Sequence, residues 1–283
     1  MISIITPVYN GEKHIRSCIE SVINQDCDDL EHIIVDGRSK DRTYEIISEY
    51  KNRFEHIRCI SESDSGQSDA MNKGIDMARG EIIGFLNCDD FYEPHVLKKI
   101  RSIFRSVKSP ALVVGNCKVW GNDGKIKHIN KPSRLTIEDL MKGPNVNSFP
   151  ENPSAYFYHK SLHNRTGYYD ESNHYTMDLD FILRAVRTAN VYYFDEIWGN
   201  YLWIEGTKTY IGHQERQNYK RVKRVYQKYY RSMNLLDRFL YGIRFDLQNG
   251  IPVFLSYNFR QLWYFLQRPK EFKAYLESRF GSS

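Results

Sequence analysis

The sequence lacks the marks of a disulfide-stabilised, zinc-binding or membrane-spanning protein. Its five cysteines are odd in number, scattered and free of any C-x-x-C pair, which favours a reducing compartment. No run of about 18 apolar residues occurs, so we predict no transmembrane helix. The apolar stretch 2–8 is too short for a signal peptide and is expected to form a strand. These absences together predict a cytoplasmic protein.

The glycine-rich motifs that cradle phosphates are also missing. G-x-G-x-x-G does not follow the first predicted strand, and G-x-x-x-x-G-K-[S/T] occurs nowhere in the chain. A bound nucleotide would therefore have to be held by acidic residues, aromatic rings and a metal ion instead of a glycine loop.

Short apolar runs alternate with helical periodicity through the first third of the chain. Strands are predicted at 2–8, 32–35, 57–60 and 82–86, and helices at 12–24, 41–50 and 67–78. Such an alternation predicts an α/β fold with a parallel sheet and right-handed crossovers.

Acidic residues follow these predicted strands and are expected to share one edge of the sheet. Asp36 ends the second strand, Asp89 and Asp90 follow the fourth, and Asp64 and Asp69 flank a turn before the third helix. Ligands of open α/β sheets bind at the carboxyl ends of the strands. Adjacent carboxylates repel each other, so Asp89 and Asp90 favour a site for Mg²⁺ or Mn²⁺ carrying a substrate's phosphates. The alternative is that they cap the following helix.

Ordered motifs along the chain resemble the family 2 glycosyltransferases with the GT-A fold. The resemblance covers about residues 1–210 and rests on Thr6-Pro-Val-Tyr-Asn10, Val35-Asp36-Gly37, Asp64-Ser-Gly66, Asp69-Ala-Met-Asn72, Gly80 to Asp90, and Met177-Asp178-Leu-Asp180. It implies a Rossmann-like, mostly parallel sheet flanked by helices. It also implies transfer of a sugar from a nucleotide donor to an acceptor hydroxyl with inversion at the anomeric carbon.

The resemblance assigns donor contacts to residues near the first two strands and the third helix. Pro7, Tyr9 and Asp36 correspond to contacts with the nucleotide base and ribose, and Asp69 and Asn72 to further donor-side contacts. An aromatic ring and a carboxylate suit a base and its N–H group. Tyr9 as a packed strand end and Asn72 as a helix-surface amide remain alternatives.

The resemblance places Asn87-Cys88-Asp89 where the family has Asp-x-Asp. Because the first acid is an amide here, Asp89 is the expected metal ligand, with Asp90 supporting it and Asn87 reaching the ribose. Lys208 lies in the loop that the family closes over the donor diphosphate.

A second chemical focus lies on the helix predicted at 175–189. Helical spacing puts Asp178 on or beside its buried face at the first turn, where the helix dipole favours a carboxylate. By resemblance Asp178 is the general base and Asp180 its supporting neighbour. The spacing of Asp180 and Arg184 predicts a surface ion pair. An N-terminal helix acid without chemistry is the alternative for Asp178.

The rest of the chain is divided by composition. Residues 1–110 are expected to bind the donor and 111–213 the acceptor, the latter with strands at 111–119, 154–159, 191–195 and 199–204. Residues 214–283 are basic, aromatic-rich and helical in pattern, and they contribute to the net charge of +5. This region suits contact with an anionic membrane face or docking on the catalytic domain. Nucleic-acid binding is not expected, because no nucleic-acid-binding module is recognised.

We therefore predict a metal-dependent enzyme that uses a nucleotide sugar, with a UDP-sugar favoured over a GDP-sugar. The expected acceptor is a glycan or a lipid-linked saccharide of the cell envelope, with the enzyme peripheral to the inner membrane face. Two other classes compete. A sugar-nucleotide-forming nucleotidyltransferase should carry a glycine-rich, basic turn where this chain has Pro7-Val-Tyr-Asn-Gly11. A non-catalytic module would bind the nucleotide sugar without turnover.

Overall fold

The computed structural model describes residues 1–143, 147–207, 210–211, 218–230 and 268. Within them, nine strands form one sheet in the order β3-β2-β1-β4-β8-β6-β9-β5, with β7 paired to β6. The strands are β1 Ile2–Val8, β2 Leu30–Asp36, β3 Ile57–Ser61, β4 Ile82–Phe85, β5 Phe91–Tyr92, β6 Ala111–Trp120, β7 Ile126–Asn130, β8 Tyr156–His159 and β9 Asn190–Leu202.

Eight α-helices accompany the sheet in the described part of the chain. They are α1 Ile15–Ile23, α2 Thr43–Lys51, α3 Gln67–Met77, α4 Val96–Phe104, α5 Ile137–Leu140, α6 His163–Thr166, α7 Met177–Ala185 and α8 Asn218–Tyr230. No helix among the described residues is long and apolar enough to cross a membrane.

The βα alternation predicted from the sequence produces the parallel part of the sheet. β1 pairs in parallel with β2 and with β4, and β2 pairs in parallel with β3. β8 is antiparallel to both β4 and β6, so β6 and its parallel partner β9 run in the direction of β1–β4. The α/β fold with a mixed, mostly parallel sheet between helices is confirmed.

The two faces of the sheet bury different helices. Met71 of α3, Phe181 of α7 and Tyr226 of α8 pack in one cluster with Phe85 and Tyr156. On the other face, α4 and α1 share a cluster, and α1 and α2 share a third. Helices α3, α7 and α8 therefore lie on one side of the sheet, and α1, α2 and α4 lie on the other.

The strands predicted at 191–195 and 199–204 are a single strand, so this prediction is wrong. β9 runs unbroken from Asn190 to Leu202 and pairs with β6 through two register shifts near Asn116. The fully buried Trp198 lies against Gly115, where an added Cβ would stand 2.4 Å from its ring. Because Gly115 leaves room for the indole, residues 196–198 between the two predicted strands stay in the sheet.

Candidate active site

The carboxyl ends of the parallel strands bring the predicted donor residues to one edge. The register aligns Val8 with Asp36, and Asp36 with Ser61. In the antiparallel β4–β8 pair, Gly84 is opposite Phe157, so Tyr156 starts β8 beside the end of β4. This edge therefore carries the loops after β1, β2, β3 and β4 and the beginning of β8.

Tyr9 presents its ring to solvent at this edge. Its side chain is 56% exposed, so it is not a packed strand end. The neighbouring Asn10 has a positive φ of 52° and accepts a hydrogen bond from the backbone N–H of Lys40 at 2.9 Å. A Cβ on Gly11 would lie 3.2 Å from Cys88 Sγ, so the loop after β1 closely approaches the residue before Asp89.

Asp36 lies beneath this surface and is fully buried. Its carboxylate accepts hydrogen bonds from the hydroxyl groups of Ser39 and Ser61, each at 2.5 Å. Ser39 Oγ also accepts the backbone N–H of Asn10 at 2.8 Å, which joins the loops after β1 and β2. Pro7 is buried within β1. In this structure Asp36 and Pro7 shape the floor under Tyr9 and are not exposed to solvent.

Asn87 and Asp90 form a hydrogen-bonded turn after β4. Asn87 Nδ2 donates to Asp90 Oδ2 at 3.0 Å, and Asn152 Nδ2 donates to the same oxygen at 2.7 Å. The backbone N–H of Leu202, at the end of β9, donates to Asp90 Oδ1 at 3.1 Å. Asp90 thus ties the turn to β9 and to the segment before β8.

Asp89 is the carboxylate of this turn that remains available. Among the described residues, no other residue hydrogen-bonds its side chain, and His14 at the start of α1 provides a favourable positive potential. Burial raises the pKa of Asp89 above its ordinary value. Burial and the neighbouring Asp89 raise the pKa of Asp90 well above its ordinary value, against the opposing effect of its three N–H donors. Two adjacent carboxylates with raised pKa values, Asp90 buried and Asp89 half-buried, are suited to a cation that replaces the proton.

The donor set fits a magnesium or manganese ion that is shared with a substrate. Such ions commonly bind one or two protein carboxylates, substrate phosphates and water. No group of three or more His, Cys, Asp or Glu side chains in the described residues is arranged to hold a metal by itself. Asp89 is the residue that would hold the ion, with Asp90 fixing the turn behind it.

The first turn of α3 stands between the β4 turn and α7. Gln67 Nε2 donates to Asn87 Oδ1 at 3.0 Å, and Ser68 Oγ donates to the backbone oxygen of Asn173 at 2.9 Å. A Cβ on Gly66 would lie 2.8 Å from His174 Nδ1. The loop that leads into α7 therefore packs on the helix start that also contacts Asn87.

Asp69 and Asn72, the other predicted donor contacts on α3, are engaged within the protein. Asp69 Oδ2 accepts the backbone N–H of Ser65 at 2.8 Å. Burial acts to raise the pKa of Asp69, but this bond and the nearby Lys73 lower it below the ordinary value. Asn72 is 8% exposed, and its amide exchanges two 3.0 Å hydrogen bonds with the backbone of Tyr169. Asn72 is therefore a buried link to the loop before α7 and not a helix-surface amide.

Asp178 lies in the first turn of α7 and is half-buried. The hydroxyl of Tyr156 donates to Asp178 Oδ1 at 3.1 Å. Tyr156 is fully buried at the start of β8, beside the end of β4. Asp178 therefore lies on the strand edge that carries Asn87 to Asp90, on the α3 side of the sheet.

Asp180 and Arg184 form the predicted ion pair, but the prediction that it lies on the surface is wrong. The ion pair forms at 2.9 Å, but the side chains are only 6% and 19% exposed. Helix α8 covers them, and Tyr229 and Lys228 each reach Asp180 Oδ1 at 3.1 Å. Helical spacing predicted the pair correctly, but it carried no information about a helix about fifty residues further along the chain.

Three supporting residues were not predicted from the sequence: Gln67, Asn152 and Tyr156. Asn152 precedes Pro153 in a segment interpreted as surface, and Tyr156 lies in a segment predicted only to be a strand. Lys208 lies outside the described residues. Two surface depressions, of about 350 Å³ beside Tyr168 and about 850 Å³ beside Tyr193, include neither Asp89 nor Asp178.

Comparison with known proteins identifies the family. Residues 3–167, more than half of the chain, match the model of glycosyl transferase family 2, so the chain belongs to this family of glycosyltransferases. The glycosyltransferase EpsJ of Bacillus subtilis (strain 168) is 29% identical over 199 residues, which cover 67% of this chain and 57% of EpsJ.

A second relative and two solved structures extend the comparison. TuaG of Bacillus subtilis (strain 168), whose name assigns it to teichuronic acid biosynthesis, is 33% identical over 145 residues, covering 50% of this chain and 57% of TuaG. The crystal structure of S. aureus TarS 1-349 superposes with a TM-score of 0.63 at 19% identity, covering 86% of this chain and 70% of that one. Its complex with UDP-GlcNAc gives a TM-score of 0.60 at 21% identity, covering 74% and 60%. The chain thus spans less than two thirds of EpsJ and of TuaG.

Proposed function

We propose that the chain transfers a sugar from a UDP-sugar to an acceptor hydroxyl in the synthesis of a cell-envelope polysaccharide or glycolipid, with inversion at the anomeric carbon. The observation that supports this proposal is that Tyr9 and Asp89 lie in the loops after β1 and β4, while Asp178 is hydrogen-bonded to Tyr156, which starts β8 beside the end of β4. TuaG and the UDP-GlcNAc complex of TarS support the choice of donor and pathway.

The donor base stacks on the exposed ring of Tyr9. Asp36 and Pro7 hold the floor beneath it, and Asn87 lies between this loop and α3, within reach of the ribose. Lys208 contacts the diphosphate in the proposal. Asp69 and Asn72 contribute by fixing the loops around α3, because their polar atoms already bind Ser65 and Tyr169.

Asp89 holds a Mn²⁺ or Mg²⁺ ion together with the donor diphosphate. When bound, the ion stabilises the negative charge that develops on the leaving nucleoside diphosphate. Asp90 keeps the turn rigid through Asn152 and the Leu202 N–H group. The half-burial of Asp89 excludes part of the water that would otherwise screen this charge.

Asp178 is the general base of the proposed reaction. Its carboxylate takes the proton of the acceptor hydroxyl as that oxygen forms a bond to the anomeric carbon. The bond from that carbon to the diphosphate oxygen breaks, and its electron pair leaves with the nucleoside diphosphate. Tyr156 orients this carboxylate by donating a hydrogen bond to Oδ1.

The test is release of nucleoside diphosphate from a panel of nucleotide sugars with Mn²⁺ and with soluble or polyprenyl-linked saccharides as acceptors. Asp178→Asn is expected to abolish acceptor-dependent release while UDP affinity stays within about twofold, because the proposed base acts on the acceptor hydroxyl in the transition state and not on UDP. Asp28→Asn, an exposed acid before β2, is the matched control and should retain wild-type turnover. Near-normal turnover of Asp178→Asn would contradict the assignment of the base.

The acceptor half and the membrane contact belong to the same proposal. Residues 111–213 receive the acceptor, and the basic residues of 214–283 bring the enzyme to the anionic inner membrane face as a peripheral protein. Sedimentation of the full chain with anionic liposomes, compared with neutral liposomes, measures this contact. Equal sedimentation would contradict the membrane part alone.

A further inference from the structure

Helix α8 contacts the helix of the proposed base at Asp180, two residues after that base. Lys228 Nζ lies 3.1 Å from Asp180 Oδ1. The Tyr229 hydroxyl lies 3.1 Å from the same carboxylate oxygen and 3.2 Å from the backbone oxygen of Asp180. Tyr229 therefore contacts both the side chain and the main chain of a residue in the first turn of α7.

The contact is buried and its charges are matched. Asp180 is 6% exposed at its side chain and also accepts Arg184 Nε at 2.9 Å, so two cations and one hydroxyl surround one carboxylate. Lys228 is 60% exposed, so its ion pair is screened by solvent and contributes little alone. Tyr229 is 6% exposed, so its hydrogen bonds to Asp180 form away from solvent.

Asp180 controls the geometry of the turn that carries Asp178. The backbone N–H of Asp180 donates to Thr176 at 3.0 Å, which closes the first turn of α7 around Asp178. Arg184 extends the restraint, because its guanidinium also donates to the backbone oxygens of Thr166 and Gly167 before the α7 loop. A displacement of Asp180 would thus move the Asp178 carboxylate relative to Tyr156.

We propose that Lys228 and Tyr229 are positioning residues for transfer, and that α8 holds the first turn of α7 so that Asp178 meets the acceptor hydroxyl. This inference rests on the proposed function of Asp178. It makes helix α8 part of the machinery that aligns the base, although α8 lies about fifty residues after it in the sequence. Small displacements of a reacting group reduce rates strongly, up to about 100-fold per ångström.

The test compares matched tyrosine variants in the full chain. Tyr229→Phe is expected to lower kcat for acceptor-dependent transfer by about 10-fold, while the donor KM and UDP affinity stay within about twofold. Tyr226→Phe is the control, because it also removes a hydroxyl that binds a backbone oxygen, that of Leu140 at 3.2 Å in α5. Its kcat should stay near wild type. If both variants lower kcat and the melting temperature equally, α8 has only a structural role and the inference is wrong.

Asp180 and Lys228 supply a second, independent comparison. Lys228→Met should lower kcat less than Tyr229→Phe and should be rescued by Lys228→Arg, whereas Lys220→Met on the exposed side of α8 should have no effect. In a double-mutant cycle, Tyr229→Phe should add little to Asp180→Asn, because both act through one contact. Full additivity in kcat would overturn the inference. Turnover by Asp178→Asn would instead refute the base itself, so the two failures are distinguishable.

Discussion

The hydroxyl of Tyr156 donates a 3.1 Å hydrogen bond to Oδ1 of Asp178. Tyr156 is fixed in the sheet and its ring lies parallel to that of Phe181 at 6.5 Å. The same residue that starts β8 beside the end of β4 therefore orients the carboxylate at the start of α7. This contact couples the proposed base to the rigid sheet instead of to a loop.

Tyr156→Phe is expected to lower kcat about 10-fold with donor affinity unchanged, because the ring stays packed while the carboxylate loses one orienting bond. Steady-state kinetics and UDP titration measure the two effects. Tyr158→Phe, in the same strand and also fully buried, removes a hydroxyl that binds His163 at 2.9 Å and serves as the control. Equal losses in both variants would indicate general damage to β8.

Tyr9 should determine nucleotide affinity and not the chemical step. Its ring is 56% exposed, and stacking of a base on an aromatic side chain contributes about 1–3 kcal/mol. Tyr9→Ala is therefore expected to weaken UDP binding about 10-fold or more, and Tyr9→Phe to preserve it. Calorimetric titration with UDP checks both. Tyr44 is also exposed and lies on α2, so Tyr44→Ala is the control. An equal loss of UDP affinity in Tyr44→Ala would exclude a specific stacking role for Tyr9.

Binding of Mn²⁺ with UDP should strengthen as the pH rises. Burial raises the pKa of both Asp89 and Asp90, so protons compete with the cation up to a higher pH than for ordinary carboxylates. Without a metal, the raised pKa values mean that the folded state holds these protons more tightly than the unfolded state. Their contribution to stability therefore falls as the pH rises through the raised values.

Thermal shift with Mn²⁺ and UDP at pH 5.5 and pH 8 measures this competition. The stabilisation by the metal should be larger at pH 8, and Asp89→Asn should abolish the metal-dependent part at both values. UDP is present in every sample, so protonation of UDP itself affects the wild type and Asp89→Asn equally. A wild-type shift that is independent of pH, or one that survives in Asp89→Asn, would place the ion elsewhere.

Local patterns predicted the parallel half of the fold because its helices and strands are consecutive in sequence. Their ends shifted by a few residues: the helix predicted at 12–24 is Ile15–Ile23, and the helix predicted at 41–50 is Thr43–Lys51. The edge shared by Asp36 and Asp89 followed from the parallel connections alone. The resemblance to a known family supplied the role of Asp178, and no spacing could have done so.

The remaining features depend on contacts between distant parts of the chain. Asn152 binds Asp90 across 62 positions and Tyr229 binds Asp180 across 49. The burial of Asp36 likewise depends on Ser39 in the loop after β2 and on Ser61 at the end of the neighbouring strand β3. Periodicity predicts which residues face inward, but it does not predict which buried polar groups become partners.

Glu31 offers a prediction about stability that should leave the site unaffected. It is 4% exposed near the amino-terminal end of β2, away from the strand edge that carries Asp89. Its carboxylate accepts Ser3 Oγ and the backbone N–H of Arg79, each at 2.6 Å, and pairs with Arg58 at 2.6 Å. Burial acts to raise the pKa of Glu31, but these three partners outweigh it and lower the pKa below 4.5.

Because the folded state lowers this pKa, ionised Glu31 contributes stability above the unfolded value of 4.5, and that contribution is lost as the pH falls through the folded value. Glu31→Gln should lower the free energy of unfolding at pH 7 by about 3 kcal/mol, since it leaves buried donors and Arg58 without a carboxylate. Urea titrations should show a smaller difference at pH 3.5 than at pH 7. Glu55→Gln, at an exposed position before β3, should have no effect, and turnover below the unfolding transition should match wild type. If the difference in unfolding free energy between the wild type and Glu31→Gln does not change with pH, the shape of the amide, and not the lost charge, destabilises the variant.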